Sequence, residues 1–280
     1  MKVSLFWRGV LACTAGVTSV LCGPPPATPV APAPSAERAI ADAAAFAVWK
    51  ATLSPEQQAW ETILEENLGS FYLPIYYREK SQGKVTAWDY VRDDPNLPRV
   101  LLIGDSISRA YTVGVRQGLE GEANVHRAPE NCGPTANGLK KLDLWLGQGR
   151  WDLIYFNFGI HDRATPIAEY ERRLEEIIVR LKATGANVVW ASSTPVPVDD
   201  PRHQPAKAIP ELNAVAARLA EKHHLIVDDL YTFISPHLGT TQKPGDVHFN
   251  DEGYRLLAQQ VSATIRALLG SRATNGAKAK

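Results

Sequence analysis

The sequence predicts an α/β protein: a single doubly wound, mostly parallel five-stranded sheet with helices on both faces, preceded by a helical N-terminal extension. Three observations carry this prediction. Five short, nearly continuous apolar runs occur between residues 99 and 230. Amphipathic helix patterns separate them, which is the texture of parallel strands covered on both faces. The runs end in glycine and polar residues, and in open α/β sheets the carboxyl ends of the strands are where sites form.

The chain starts "MKVSLFWRGVLACTAGVTSVLCG". Lys2 and Arg8 precede a mostly apolar run over residues 9–21. At about 13 residues it is short for a spanning helix, which needs ~20, and it has the layout of an export signal. Residues 1–22 are therefore expected to be a cleaved secretory signal. A lipoprotein signal ending at Cys22 or Cys13 is the second reading, and a retained anchor the third. The protein is expected to be exported: periplasmic, extracellular or lipid-anchored to the membrane. Residues 23–37, "GPPPATPVAPAPSAE", cannot build a core and read as a stiff linker. Beyond them the sequence has only Cys132, so an exported chain would have no internal disulfide and must rest on its core.

Residues 38–98 are expected to form a helical and aromatic extension packed on the main domain. Residues 38–53 are alanine-rich with a helical pattern. Ser54, Pro55 and Gln57 then read as a helix start, with Ser54 as cap, Pro55 in the first turn and Gln57 three residues after the cap. Trp60, Ile63, Leu64 and Leu68 share one face. The stretch "FYLPIYYREKSQGKVTAWDYVRDDPNLP" is rich in aromatics and irregular in pattern.

Residues 99–270 are expected to be one flavodoxin-like α/β/α sandwich. Its apolar runs are 99–104, 124–128, 152–159, 187–193 and 225–230, with helix patterns near 107–120, 134–148, 167–183, 209–223 and 251–269. Residues 271–280 are expected to be a disordered tail. With 30 basic and 30 acidic side chains, the chain has no electrostatic footprint for nucleic acid or an anionic membrane surface.

Chemistry-bearing residues gather at the strand ends. Ser106 follows the first run in "RVLLIGDSISRAY", where it either caps the next helix or stands as a nucleophile at a helix N-terminus that favours negative charge. Gly133, after the second run, offers an unobstructed backbone N–H. The third run ends in "FNFGIHDR", bringing Asn157, His161 and Asp162 to the same edge. Before the last helix, "GDVHFNDEGY" places Asp246 two residues ahead of His248, so the carboxylate can hold one imidazole tautomer and leave the other nitrogen as a base. Singly, each stretch also reads as an ordinary turn or cap. Together, a serine, a histidine, an acid and several N–H donors at one sheet edge are the layout of acyl transfer through a covalent intermediate.

Gly104-Asp105-Ser106 with a late Asp-x-His resembles the GDSL, or SGNH, hydrolases over residues 99–270. The resemblance implies Ser106 as nucleophile and His248 as base. It implies an oxyanion hole from the N–H groups of Ser106 and Gly133 and a donor from the third block. Two positions depart from the family pattern. His161 stands where the family has asparagine, leaving His161 or Asn157 as the third donor. Gly245 stands where the family has its acid, leaving Asp246 as the acid or the site as a Ser-His dyad.

The expected function is an exported serine esterase, acting on a small-molecule or polysaccharide ester and deacetylating a carbohydrate. The expected state is a monomer with no nucleic-acid partner and no metal or organic cofactor. Two alternatives stay open: a non-catalytic carbohydrate-binding module on the same fold, and an O-acyltransferase. The aromatic stretch of the extension either stacks on sugar rings or packs onto the core.

Overall fold

The computed structural model describes residues 36–278, apart from 201, 203, 204, 206 and 207, with side chains described as far as residue 270. The export signal and nearly all of the linker expected at residues 1–37 lie outside the described residues. Among those described, no helix is long and apolar enough to cross a membrane.

Five strands form one sheet: β1 (Arg99–Ile103), β2 (Asn124–Arg127), β3 (Leu153–Phe156), β4 (Asn187–Ala191) and β5 (Ile226–Asp228). The order is β2-β1-β3-β4-β5, and every pair is parallel. Val100 lies between Val125 of β2 and Leu153 of β3. β1 and β3 are buried almost throughout, which explains their unbroken apolar sequences. The strand order reverses between β1 and β3, and the crevice beyond their carboxyl ends is the switch point of the sheet.

The principal covering helices are α4 (Ser106–Gly118), α5 (Thr135–Leu146), α6 (Ile167–Ala183), α7 (Ala208–Lys222) and α10 (Asp251–Lys278). α4 and α10 pack unusually closely because glycines face the contact. A Cβ on Gly114 would come within 2.7 Å of the Ala258 Cβ, and one on Gly118 within 2.7 Å of the Ser262 Oγ. Arg266 of α10 closes the far end of this pair on Glu122 and the Gly118 carbonyl. This contact brings the loop before α10, which carries His248, to the start of α4, which carries Ser106.

The extension is more helical than its sequence pattern suggests. α1 (Ala36–Lys50) begins inside the stretch assigned to the linker. α2 (Pro55–Asn67) starts with the expected capping box, Ser54 and Gln57 bonding each other's backbone N–H. The aromatic stretch read as irregular instead forms α3 (Gly69–Ser81), with Pro74 inside it. An interior proline costs ~3 kcal/mol of helix stability. Here it is overridden by aromatic burial: Tyr76 joins Phe46, Leu64, Leu68 and Trp88 in a second hydrophobic cluster, separate from the main core, with Tyr72 and Tyr77 packed against it. The extension is tied to the sheet where Asn124 of β2 bonds the backbone of Asp94 and Leu97.

Other boundaries also move. The last apolar run does not stay strand to residue 230, because Asp229 caps a short helix, α8 (Leu230–Ile234), through the Thr232 N–H. A further short helix, α9 (Leu238–Thr241), follows. α10 runs on to Lys278, into the stretch from residue 271 where a disordered tail was expected.

Candidate active site

Ser106 is the first residue of α4, directly after β1 and the Gly104-Asp105 turn. Asp105, and not Ser106, caps the helix, accepting the Ile107 N–H at 2.9 Å. The serine hydroxyl is thereby released from the capping role that its position alone allows. Arg127, buried at the end of β2, fastens the turn from behind. Its guanidinium donates to the Gly104 and Asp105 carbonyls at 2.9 Å each and to the Ser108 hydroxyl at 2.5 Å. Gly104 is needed there, because a Cβ would sit 2.7 Å from the Ser108 Oγ.

The loop before α10 brings the histidine and the acid. Gln242 and Phe249 pair as an antiparallel bridge, and Lys243 N–H bonds the His248 carbonyl. Inside, Asp246 N–H donates to the Lys243 carbonyl across a tight turn. Gly245, the third residue of that turn, has φ of +59°, a conformation that favours glycine. This is a physical reason for the displaced acid: the position where the family pattern places it is bent into a left-handed turn, and the next residue presents its carboxylate.

The Ser106 Oγ lies 2.8 Å from the His248 Nε2, and the His248 Nδ1 lies 2.6 Å from the Asp246 Oδ1. The same Asp246 oxygen accepts the His248 backbone N–H at 3.1 Å, and its other oxygen meets the Arg202 guanidinium at 3.0 Å. Partial burial works to raise the Asp246 pKa. The His248 backbone N–H, the imidazole and Arg202 outweigh it and bring the carboxyl down to about 2, so it is ionised at any working pH. Asp200, fully buried, holds the loop by accepting the Val247 and Arg202 N–H groups. Asp228 is engaged by Tyr155 and Gln260, and Asp229 by Ser192 and Thr232, so neither of these acids is the histidine's partner.

The other predicted residues divide. The N–H groups of Ser106 and Gly133 have no protein partner among the described residues. Gly133 holds φ of +65°, again the left-handed region. Asn157, expected as one candidate donor, turns its amide away: both hydrogens go to the end of β4 and the loop after it, to the Ala191 carbonyl at 2.7 Å and the Ser193 Oγ at 3.1 Å. Its side chain therefore braces the strand ends and does not complete an oxyanion hole. His161 is exposed in the short helical turn Ile160–Asp162. The next residue, Asp162, is fully buried and accepts the Thr135 N–H at 2.8 Å and the Thr135 hydroxyl at 2.7 Å, fixing the start of α5 beside Gly133. Burial raises its pKa, against those hydrogen bonds.

Sequence reasoning missed Arg127, Asp200 and Arg202. Arg127 had a signal, a charge within a run expected to be a strand of a sheet covered on both faces, where a charge requires buried partners. Asp200 and Arg202 had none, since they lie in an irregular loop. Among the described residues, no group of three or more histidine, cysteine or carboxylate side chains is arranged to hold a metal ion.

A serine hydrogen-bonded through histidine to an ionised carboxylate, at the switch point of a parallel sheet, has the parts of a serine-type ester hydrolase. Residues 102–256 match the GDSL-like Lipase/Acylhydrolase family, and the chain belongs to that family and is a carboxylic ester hydrolase. Solved structures share its fold. A lipase/acylhydrolase from Enterococcus faecalis aligns with a TM-score of 0.55 at 23% identity, over 61% of this chain and 96% of its own. The acetyl xylan esterase AlAXEase aligns at 0.52 and 15% identity, over 60% and 99%. A putative SGNH hydrolase from Slackia heliotrinireducens aligns at 0.51 and 20% identity, over 61% and 100%. No curated protein matches the sequence.

Proposed function

We propose that the chain is an exported serine esterase that removes small acyl groups, acetyl first among them, from a carbohydrate through an acyl-enzyme on Ser106. The observation that carries the mechanism is the unbroken hydrogen-bonded chain from Ser106 through His248 to Asp246. His248 takes the serine proton as Oγ attacks the ester carbonyl carbon. The Ser106 and Gly133 N–H groups receive the oxyanion, with His161 as the remaining candidate for a third donor. His248 then protonates the leaving alcohol oxygen as the carbonyl re-forms. Water, deprotonated by the same imidazole, releases the acid and regenerates the serine. Asp246 keeps the imidazole in the tautomer that accepts at Nε2 and stabilises it when charged.

The complete Ser–His–Asp chain favours an enzyme over a non-catalytic binding module, which has no use for it. The carbohydrate and acetyl assignments are supported by fold neighbours that are acetyl xylan esterases, together with the signal-like residues 1–22. The test is a panel of 4-nitrophenyl esters of increasing chain length alongside acetylated xylan and chitin oligomers. Release of acetate from an acetylated sugar, with little turnover beyond butyrate, is the expected result. A preference for long acyl chains, or acyl transfer to an added alcohol in place of hydrolysis, would overturn it. N-terminal sequencing of the protein recovered from the culture or periplasm tests export.

A further inference from the structure

A cleft of about 480 Å³ lies where the extension meets the β2 edge of the sheet, a size within the ~300–1,000 Å³ of small-ligand sites. Leu101 of β1 and His126 of β2 line it, together with residues 89–93 of the extension, the end of α5 and the turn at 147–149. It is separate from the ester site: none of Ser106, His248 and Asp246 lines it.

The lining carries an excess of positive charge. Arg92, Arg99, Arg116 and Arg127 stand against Asp89 and Asp93, in a chain whose charges balance overall. Both aspartates are engaged. Asp93 meets the Arg99 Nε at 2.8 Å and the His126 Nε2 at 2.6 Å. Asp89 accepts from the Lys80 ammonium at 3.0 Å and the Thr86 hydroxyl at 2.7 Å. Arg116 and Arg127 bond only neutral groups. Arg116 donates from Nε to the Val125 carbonyl at 3.0 Å and from Nη1 to the Thr86 carbonyl at 3.1 Å, and its Nη2 has no protein partner among the described residues. Arg127 donates to two carbonyls and a hydroxyl, while its Nε is buried without a partner. The nearby Asp105 carboxylate is committed to the Ile107 N–H. Burial lowers the pKa of both arginines, to about 10 for Arg116, which still leaves it charged at neutral pH. Desolvated guanidiniums with neutral partners lack the counter-charge that an anion supplies.

Trp60, Trp145 and Trp151 complete the lining. Their indole N–H groups are all taken within the protein, by the Trp88 carbonyl, Glu130 and the Leu146 carbonyl. What they bring to the cleft is ring surface, buried at Trp145 and half-buried at Trp60 and Trp151. α5 ends here, and the carbonyl end of a helix accepts from hydroxyl groups and repels a polyphosphate. Aromatic surface, hydroxyl acceptors and an uncompensated guanidinium together fit a sugar ring that bears a carboxylate. We infer that this cleft is a second carbohydrate site, one that holds a uronate unit of the polysaccharide, with the carboxylate on Arg116 and the ring against Trp60 and Trp151. Arg127 links it to the ester site, since it lines the cleft and also bonds the turn before Ser106. The choice of a sugar rests on the carbohydrate reading above, and the experiment separates the two.

The full chain is titrated by calorimetry with tetragalacturonate, which carries no ester and is not turned over, and in parallel with neutral xylotetraose and with ATP. Tetragalacturonate should bind in the sub-millimolar range, more weakly as salt is raised, and more tightly than either control. Arg116→Met keeps the aliphatic stem and removes the charge, and should weaken binding about tenfold, the size of one charge-assisted hydrogen bond. Arg92→Glu reverses an exposed charge and should weaken it several-fold with Tm unchanged; it decides the matter if Arg116→Met does not fold. The KM for 4-nitrophenyl acetate should be the same with and without saturating tetragalacturonate. No binding, equal binding of xylotetraose, tighter binding of ATP, or binding by Arg92→Glu within about twofold of the unaltered chain would each overturn the proposal. A competitive rise in KM would also overturn it, by placing the oligomer in the ester site. Salt-sensitive binding by a chain that hydrolyses no ester would support the cleft and overturn the esterase reading.

Discussion

Asp246→Asn tests the displaced acid, and the outcome depends on which way the new amide turns. The carboxylate uses one oxygen for two donors, the imidazole at 2.6 Å and the His248 backbone N–H at 3.1 Å, and the other for Arg202 at 3.0 Å. Asparagine has one oxygen to offer. Facing the histidine, it satisfies both of those donors and preserves the imidazole tautomer, while its NH2 confronts the Arg202 guanidinium. Facing Arg202, it sets NH2 against a fixed backbone N–H and forces the imidazole to place its proton at Nε2, where it can no longer accept from Ser106. Arg202 has a 58% exposed side chain and can swing into solvent, whereas the backbone N–H cannot move. The first orientation therefore wins, and the working tautomer survives. What is lost is the charge that stabilises the imidazolium, ~2–4 kcal/mol for a hydrogen-bonded ion pair at an effective dielectric near 20. Each 1.4 kcal/mol is about a factor of ten, so kcat/KM should fall by roughly 30- to 700-fold. Where the wrong tautomer takes over, the corresponding loss is ~10⁴. Initial rates on 4-nitrophenyl acetate measure the loss, and adding Arg202→Ala to Asp246→Asn tests the orientation argument. With the competing guanidinium gone, the double variant should be no slower than the single one. A loss below tenfold in Asp246→Asn would refute the acid assignment and leave a Ser-His dyad.

Other expectations follow from the same geometry. Ser106→Ala should abolish ester hydrolysis with Tm essentially unchanged, since Asp105 and not Ser106 caps α4; substantial residual turnover in the purified variant speaks against a covalent nucleophile. Gly159→Ala should be destabilising by ~1–3 kcal/mol, because its Cβ would fall 2.0 Å from the Ser193 Oγ that braces Asn157; urea unfolding reads this, and a neutral result means the strand ends can part. Glu61 is raised from 4.5 to about 7, chiefly by burial, despite the hydrogen bond from Tyr76 and the charge of Lys80. The folded state binds its proton more tightly, so stability should fall as pH rises from about 4.5 to about 7 and level off above, by at most ~3 kcal/mol. Glu61→Gln keeps an acceptor for Tyr76 and should flatten that slope; equal slopes at pH 5 and 8 would remove Glu61 as its cause.

The sheet was legible because its strands have one environment. Leu101, Leu102, Ile154 and Val189 are buried on both faces, so their sequences are apolar without alternation, and nothing else in a water-soluble α/β domain looks the same. α3 was not legible. Its apolar residues are aromatic, its sixth position is proline, and its helical state depends on a cluster contributed by residues from Phe46 to Trp88. Local pattern cannot report a burial whose partners lie far along the chain.

The site divides along the same line. Ser106, His248 and Asp246 could be read because each is a polar residue of particular chemistry at the end of an element. What could not be read is how the surrounding bonds choose among equivalent donors. Asn157 and His161 looked interchangeable in sequence, and Asn157 is removed as a candidate by the Ala191 carbonyl and the Ser193 hydroxyl, which take both hydrogens of its amide. The acid was ambiguous for the opposite reason. A glycine at the family's position looks like a lost function until its φ of +59° shows a left-handed turn there, followed at once by Asp246 with its carboxylate on the His248 imidazole. The tight turn also costs the acid any freedom to follow the imidazole, because its N–H is bonded to Lys243 and the adjacent Val247 N–H to buried Asp200. A displaced carboxylate fixed at both ends of its loop can serve only a histidine that returns to one place, which makes Asp200 a positioning residue for the acid. Asp200→Asn retains an acceptor but offers an N–H to one of its two donors. It should lower kcat several-fold while leaving KM unchanged; a change confined to KM would instead place Asp200 on the substrate side of the loop.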